Sequence, residues 1–291
     1  MTGISGFLGT WTERSLAAAG HKVVHMPHHA RSNFKETLSW IESNHPSAVI
    51  HLAGVVDVRY CRDHPLEAYQ AHVLETAHVL EAIRQAAPQT SFLYVASDKS
   101  FGERQNCDVN DAYHASFPYE TSKACEDLMV ESYRLTYKLP ITLLRFPNFF
   151  GEGDKHHERL VPSICLASVK NTELVIRTRL DGTTRQYIYI GDAADIIKQT
   201  LDAALAQKPV PSRNHFGPPF IKTVGDVVKD VQTLAGKPLR VTALNQPGEV
   251  SHLSLADQNF LNYKYTDWME GLRRTLEWYQ SEDAIASSSK R

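Results

Sequence analysis

Short apolar runs alternate with longer amphipathic stretches through the first half of the chain. Four of these runs have the length of a strand: His21 to His25 (HKVVH), Ala48 to Ala53 (AVIHLA), Ser91 to Ala96 (SFLYVA) and Pro140 to Phe146 (PITLLRF). Helical spacing fills the gaps at Phe7 to Ala19, Pro65 to Ala86 and Tyr119 to Tyr137. In the second of these, Ala68, Ala71, Leu74, Ala77 and Val79 are expected on one face, against a sheet. This alternation is the rhythm of a parallel α/β sheet. It breaks after Asn148, where glycines and charges (GEGDKHHER) lead to a helix from Leu160 and a strand around Glu173 to Arg177. Val224 to Leu234 and Met269 to Gln280 read as further helices, and the final AIASSSKR as a disordered tail.

Charge narrows the partners. The 31 basic and 33 acidic side chains nearly cancel, which argues against a broad nucleic-acid surface and against a polyanionic tail. No apolar run approaches the roughly 20 residues that span a bilayer, so no membrane partner is expected. Cys61, Cys107, Cys125 and Cys165 are far apart and form no C-x-x-C pair, which points to a reducing, cytoplasmic setting. His25, His28 and His29 lie close together without a carboxylate or cysteine nearby, and no metal is expected there.

Two constellations carry chemistry. Thr2-Gly3-Ile4-Ser5-Gly6-Phe7-Leu8-Gly9 spaces three glycines three residues apart, ahead of a helix. Glycine permits the positive φ of a tight turn and lets backbone N–H groups approach a pyrophosphate at a helix N-terminus. Tyr119 and Lys123 are four apart and share a helix face, where an ammonium favours the phenolate form of tyrosine. Ser97 lies just past a strand end, where such sheets present side chains to a ligand.

The motifs TGISGFLG, HLAG (51–54), SDK (97–99), YETSK (119–123), RFPNFFGEGD (145–154), TRQYIYIGD (184–192) and EGLRRTLEWY (270–279) together cover most of the chain. In them the chain resembles the extended short-chain dehydrogenases/reductases, the NAD-dependent epimerase/dehydratase family acting on nucleotide sugars. The resemblance implies a Rossmann-type doubly wound parallel sheet (1–147 and 185–213) and a smaller substrate region (148–184 and 214–281), with 282–291 as a tail. It implies NAD or NADP at Gly3, Ser5, Gly6, Phe7, Leu8, Leu52, Ala53, Gly54 and Phe146. It makes Tyr119 the base that takes a sugar hydroxyl proton, Lys123 the holder of the nicotinamide ribose and Ser97 a hydrogen-bond donor to the reacting oxygen. Asn148, Arg159, Leu160 and Arg185 are the implied contacts to a nucleoside-diphosphate sugar, and a homodimer is the implied assembly.

Asp98 and Lys99 select a branch. An Asp-Lys pair after the serine is similar to that of the CDP-glucose 4,6-dehydratases, with Asp98 as acid and Lys99 as the C5 base. A nucleotide-sugar epimerase or reductase is the alternative enzyme, and a degenerate fold serving as a binding module the alternative outside enzymes. His72 stands where relatives carry asparagine. No acid follows HKVVH for the ribose hydroxyls, and Arg31 is placed to meet a 2′-phosphate. The apolar strand that normally precedes the glycine turn is missing before Met1, so the natural start is expected further upstream.

Overall fold

The computed structural model describes residues 1–244 and 251–281. The expected tail lies outside the described residues. Four parallel strands form the central sheet in the order Ala48–His51, Ser91–Ser97, Ile141–Phe146 and Arg213–His215. Successive side chains point to opposite faces, so each strand feeds two apolar layers. From Ile141–Phe146, Ile141 and Leu143 pack with Ile41, Leu80, Ile83 and Val130. These come from helices Phe34–Asn44, Glu75–Ala86 and Pro118–Tyr137. Leu144 and Phe146 turn the other way and join Leu8, Leu16, Ile190 and Ile197, from helices Phe7–Ala18 and Ile190–Leu205. The sheet is therefore wound on both faces. Truncating a buried side chain such as Leu144 to alanine costs about 2–5 kcal/mol.

His21–His25 is not a strand. Residues 21–27 run beside Met1 and Thr2, and Met26 N–H donates to the Met1 carbonyl at 3.0 Å. Thr2 pairs in parallel with His51 as a single bridge. These bonds do not make a ladder, and periodicity within HKVVH carries no information about its neighbour.

Pro65 to Ala86 is helical throughout, with a π-helical turn at Gln70–Leu74. Its buried face differs from the expected one. Leu74 is half exposed, while Ala68, His72, Glu75, Thr76, Val79, Leu80 and Ile83 are buried. A stride of three residues loses about 60° per step on a helix of 3.6 residues per turn, so the series 68, 71, 74 winds off the face. The buried series mixes steps of three and four and stays on it.

After Phe146 the chain leaves the central sheet. Strands Arg104–Cys107, His252–Leu255, Thr184–Tyr189 and Asn148–Phe150 line up in that order, and Ile221–Thr223 pairs antiparallel with Thr184–Tyr189. Leu174–Ile176 and Val241–Ala243 make a separate parallel pair. Helices Leu160–Lys170, Val224–Ala235 and Trp268–Gln280 pack on one another. Trp268, Leu272 and Leu276 belong to the same apolar core as Leu8 and Phe146. These later elements are thus anchored to the sheet by shared core rather than by a linker.

Candidate active site

The glycine turn and the end of Ala48–His51 are locked together. Gly3 has φ +68°, and a Cβ there would lie 2.8 Å from the Ala53 nitrogen and the Leu52 carbonyl carbon. A Cβ on Gly9 would lie 2.0 Å from the Gly3 oxygen. Thr2 Oγ1 accepts hydrogen bonds from the backbone amides of Leu52 and Ala53, both at 3.1 Å. Ser5 and Gly6 are exposed, Phe7 half-buried and Leu8 buried, so helix Phe7–Ala18 opens onto solvent at its N-terminus. Its first turn carries no acidic side chain, and its dipole is left for an external anion. This cradle fits the pyrophosphate of a dinucleotide. Gly54 faces His72, whose imidazole lies 3.0 Å from where a Cβ would stand.

Arg31 does not join this cradle. It is buried in helix His28–Ser32, with Nε on Glu75 Oε2 at 3.3 Å and Nη1 on the Met26 carbonyl at 3.3 Å. His28 Nε2 meets the other Glu75 oxygen at 3.0 Å.

The catalytic candidates converge at the C-terminal edge of the central sheet. Pro118 starts helix Pro118–Tyr137, where its fixed φ is an advantage and its missing N–H no loss. Glu120 accepts from the amides of Ser116 and Phe117 and closes that helix end. The helix presents Tyr119 and Lys123 one turn apart, both buried. Ser97, the last residue of its strand, hydrogen-bonds Tyr119 and accepts from Lys99 N–H at 3.2 Å. Phe146 stands opposite Ser97 in the parallel register, buried beneath the site. His72 packs edge-on to the Tyr119 ring at 5.6 Å and bonds Ser122 Oγ at 2.8 Å and the Val55 carbonyl at 3.0 Å. Burial holds its imidazole at a pKa of about 3, so it is neutral.

Asp98 is the unusual member. It is 3% exposed, and its Oδ2 has no hydrogen-bond partner among the described residues. Oδ1 takes only a long bond of 3.4 Å from Ser97 Oγ. Burial raises its pKa above the usual carboxylate range, with Lys99, Arg185 and Arg145 opposing. A carboxyl with an uncommitted oxygen and a raised pKa is suited to donate a proton. Burial also raises the Tyr119 pKa, outweighing the opposing pull of Lys123 and the Ser97 hydrogen bond. Lysine proximity, the sequence expectation, is present, but desolvation is the larger effect.

Arg145 is the strut under this edge. It is fully buried, donates to the Ser97 carbonyl, and pairs with Asp127 Oδ2 at 2.8 Å. Tyr94 OH and Ser100 Oγ also donate to Asp127, at 2.8 and 2.9 Å. Sequence reasoning missed this pair. Its one signal was a charge at Arg145 on the face shared by Ile141 and Leu143, where only a buried partner makes it tolerable.

Among the residues expected to contact a substrate, Asn148 Nδ2 donates to the Gln186 carbonyl at 3.1 Å. Arg185 is buried and donates to the carbonyls of Thr184 at 2.9 Å and Ser251 at 3.3 Å, close enough to act on Asp98. Arg159 bonds Asp154 Oδ2 at 3.3 Å and acts electrostatically on Tyr119. Leu160, half-buried, opens the following helix. Arg159 and Arg185 thus lie near enough to act on the candidate residues Tyr119 and Asp98, respectively.

The model of the NAD dependent epimerase/dehydratase family matches residues 1–210. A trifunctional UDP-glucose 4,6-dehydratase/UDP-4-keto-6-deoxy-D-glucose 3,5-epimerase/UDP-4-keto-L-rhamnose-reductase of Arabidopsis thaliana is 27% identical over 244 residues, 79% of this chain. The chain spans only 36% of that protein's length. The CDP-glucose 4,6-dehydratase of Salmonella typhimurium is 24% identical, with 100% of this chain and 93% of that one covered. The crystal structure of a Thermus thermophilus UDP-glucose 4-epimerase with NAD has a TM-score of 0.83 at 21% identity, covering 97% of this chain and 98% of that one.

Proposed function

The chain belongs to the NAD dependent epimerase/dehydratase family, and from that premise we propose that it is a nucleotide-sugar 4,6-dehydratase. The observation that carries this reading is Asp98, a buried carboxyl with an unpartnered oxygen and a raised pKa, beside Lys99 at the mouth of the site. An epimerase needs no acid to expel the 6-hydroxyl; a dehydratase does. Curated relatives named as 4,6-dehydratases support it.

NAD is the proposed cofactor, held by the turn from Gly3 to Leu8, by Leu52, Ala53 and Gly54, and by Tyr119, Lys123 and Phe146. Arg31, engaged by Glu75, supports NAD over NADP. When bound, NAD supplies the acceptor for the C4 hydride and its return to C6. Tyr119 takes the proton of the C4 hydroxyl, and Ser97 donates a hydrogen bond to the same oxygen. Lys123 holds the ribose and offsets the phenolate charge. Lys99 removes the C5 proton, acidified by the C4 ketone, and Asp98 protonates the departing C6 hydroxyl so that it leaves as water. Lys99, after exchange with solvent, returns a proton to C5 as the hydride reaches C6. Arg185, Arg159, Leu160 and Asn148 hold the nucleoside diphosphate; guanidinium groups suit phosphate oxygens because their planar donors match them. Incubation with a panel of UDP-, CDP- and dTDP-hexoses, read by mass spectrometry, tests the reading. Loss of one water from one of them supports it; an isomer of unchanged mass overturns it in favour of an epimerase.

A homodimer is part of the proposal. Leu128 and Leu135, seven residues apart on one stripe of helix Pro118–Tyr137, are 60% and 51% exposed, and Leu66 on the neighbouring helical run is 82% exposed. Light scattering checks it: a dimer is expected at micromolar concentration, and Leu128→Glu is expected to give monomer.

A further inference from the structure

Glu126 lies on the same helix as Tyr119 and Lys123, is fully buried, and has no part in the steps above. Its Oε2 accepts from Lys123 Nζ at 2.5 Å. Its Oε1 accepts from Thr76 Oγ1 at 2.8 Å, with His51 Nε2 3.9 Å away. Thr76 Oγ1 also meets His51 Nε2 at 2.9 Å, and His51 Nδ1 meets Thr2 Oγ1 at 3.1 Å. Thr2 Oγ1 in turn accepts from the amides of Leu52 and Ala53. A continuous buried polar chain therefore runs from the catalytic lysine to the glycine turn.

Burial works to raise the Glu126 pKa and the Lys123 ammonium opposes it; with Glu126 ionised in that pair, hydrogen counting fixes the direction of the chain. Thr76 has one hydroxyl proton, and a carboxylate can only accept it, so Thr76 must accept from His51 Nε2–H. His51 Nδ1 is then unprotonated and accepts from Thr2, whose oxygen receives the two amides. This needs a neutral imidazole, and burial, with nearby Arg31 and Lys123, holds His51 well below its usual pKa. Every donor points toward Glu126, and the carboxylate is the sink of the chain.

We propose that Glu126 is a positioning residue that pins the Lys123 ammonium beside Tyr119 and keeps the tyrosine–lysine site electrically neutral, thereby setting the pH at which that site releases a proton. The proposal rests on the roles assigned above to Tyr119 and Lys123. The charge arithmetic is simple. With Glu126 ionised, tyrosine, lysinium and glutamate sum to zero, and releasing a proton leaves a net negative charge in a buried site. With a neutral residue at 126 the same release goes from plus one to zero. The second is easier whichever of the two groups gives up the proton. The groups facing Glu126 are few. Lys123 and Asp127 come from its own helix, and Asp127 is committed to Arg145. His51, held neutral, comes from Ala48–His51, and His72, also neutral, acts on Lys123 from the π-helical turn. Tyr94 comes from the strand beneath, its ring 5.0 Å from Lys123 Nζ. Opposing pressures act on Lys123: burial works to lower its pKa, and Glu126, with Tyr119 and Asp127, outweighs it.

An NMR titration of the protein without added substrate tests this. Isotope-labelled tyrosine rings and lysine side chains are followed together, and the two signals are assigned through Tyr119→Phe and Lys123→Met. In Glu126→Gln the lower of the two apparent pKa values is expected to fall by about one unit or more, as for a charge a few ångströms away in an effective dielectric near 20. Glu126→Asp, which keeps the charge, is expected to stay within about half that shift. A glutamine variant titrating like the wild type, or aspartate and glutamine shifting together, overturns the proposal. Should the glutamine variant not fold, Glu126→Ala removes the same charge and decides by the same criterion. The acid-side limb of the turnover pH profile is expected to move with the titration. Failure of every nucleotide sugar to react would strike the function proposed above and leave the titration result standing.

Discussion

Replacing Asp98 by asparagine keeps the shape of a buried side chain and removes the proton it is proposed to deliver. Among the described residues Asp98 Oδ2 has no hydrogen-bond partner to lose, so the amide disturbs little around it. Loss of a positioned acid typically costs 10²–10⁴ in rate, or about 3–5.5 kcal/mol of barrier, and here the whole of it falls on elimination. Oxidation at C4 depends on Tyr119 and Ser97, which the substitution leaves in place. Reduced nicotinamide is therefore expected to accumulate during the first turnover, visible in stopped-flow near-ultraviolet absorbance. The same change has a stability signature of definite sign. Burial raises the Asp98 pKa above its value in the unfolded chain. The stability it contributes is therefore present below the unfolded pKa and lost as pH rises through the folded one. Asparagine removes that dependence, so in urea unfolding Asp98→Asn should gain on the wild type by more at about pH 8 than at about pH 4. Elimination within about ten-fold of wild type, or oxidation slowed as much as elimination, would refute the assignment of the acid.

Tyr119→Phe is expected to lower kcat by about 10²–10⁴ with KM changed only a few-fold, because the phenol moves a proton rather than holding the sugar; steady-state kinetics checks it. Since burial raises the Tyr119 pKa, wild-type turnover should climb as pH rises through that pKa, and the pH profile reads this directly. Asp127→Ala leaves the fully buried Arg145 unpaired and should cost about 3–5 kcal/mol in urea unfolding, whereas replacing both partners with apolar residues should cost less. Gly9→Ala places a methyl 2.0 Å from the Gly3 oxygen, so calorimetry should show NAD affinity reduced at least about ten-fold in whatever protein folds.

Local pattern carried the parts of this fold whose cause is local. Ser91–Ser97 and Ile141–Phe146 are apolar on both faces, and the four-residue spacing of Tyr119 and Lys123 places them one turn apart on any helix. The readings that failed have causes elsewhere in the chain. His21–His25 has strand composition but only Met1 and Thr2 beside it. Leu74 is apolar but a three-residue stride turns it outward. The pairing of Arg31 with Glu75, from a different helix, is a contact of the same non-local kind that the sequence does not report. The burial of Asp98, and the chain through His51, Thr76 and Glu126, join residues from separate strands and helices, and no periodicity reports such contacts. Helix Ile190–Leu205 begins within TRQYIYIGD, at its last three residues, so the sequence carries no separate start signal for it.

The most direct test of the dehydratase reading is proton NMR of the product formed in deuterium oxide from the nucleotide sugar that reacts best. Proton removal at C5 and hydride return to C6 predict a 4-keto-6-deoxy product carrying deuterium at C5, with the original C4 hydrogen at C6 and no net consumption of NAD. A product of unchanged mass, inverted at one carbon and free of deuterium at C5, would contradict it.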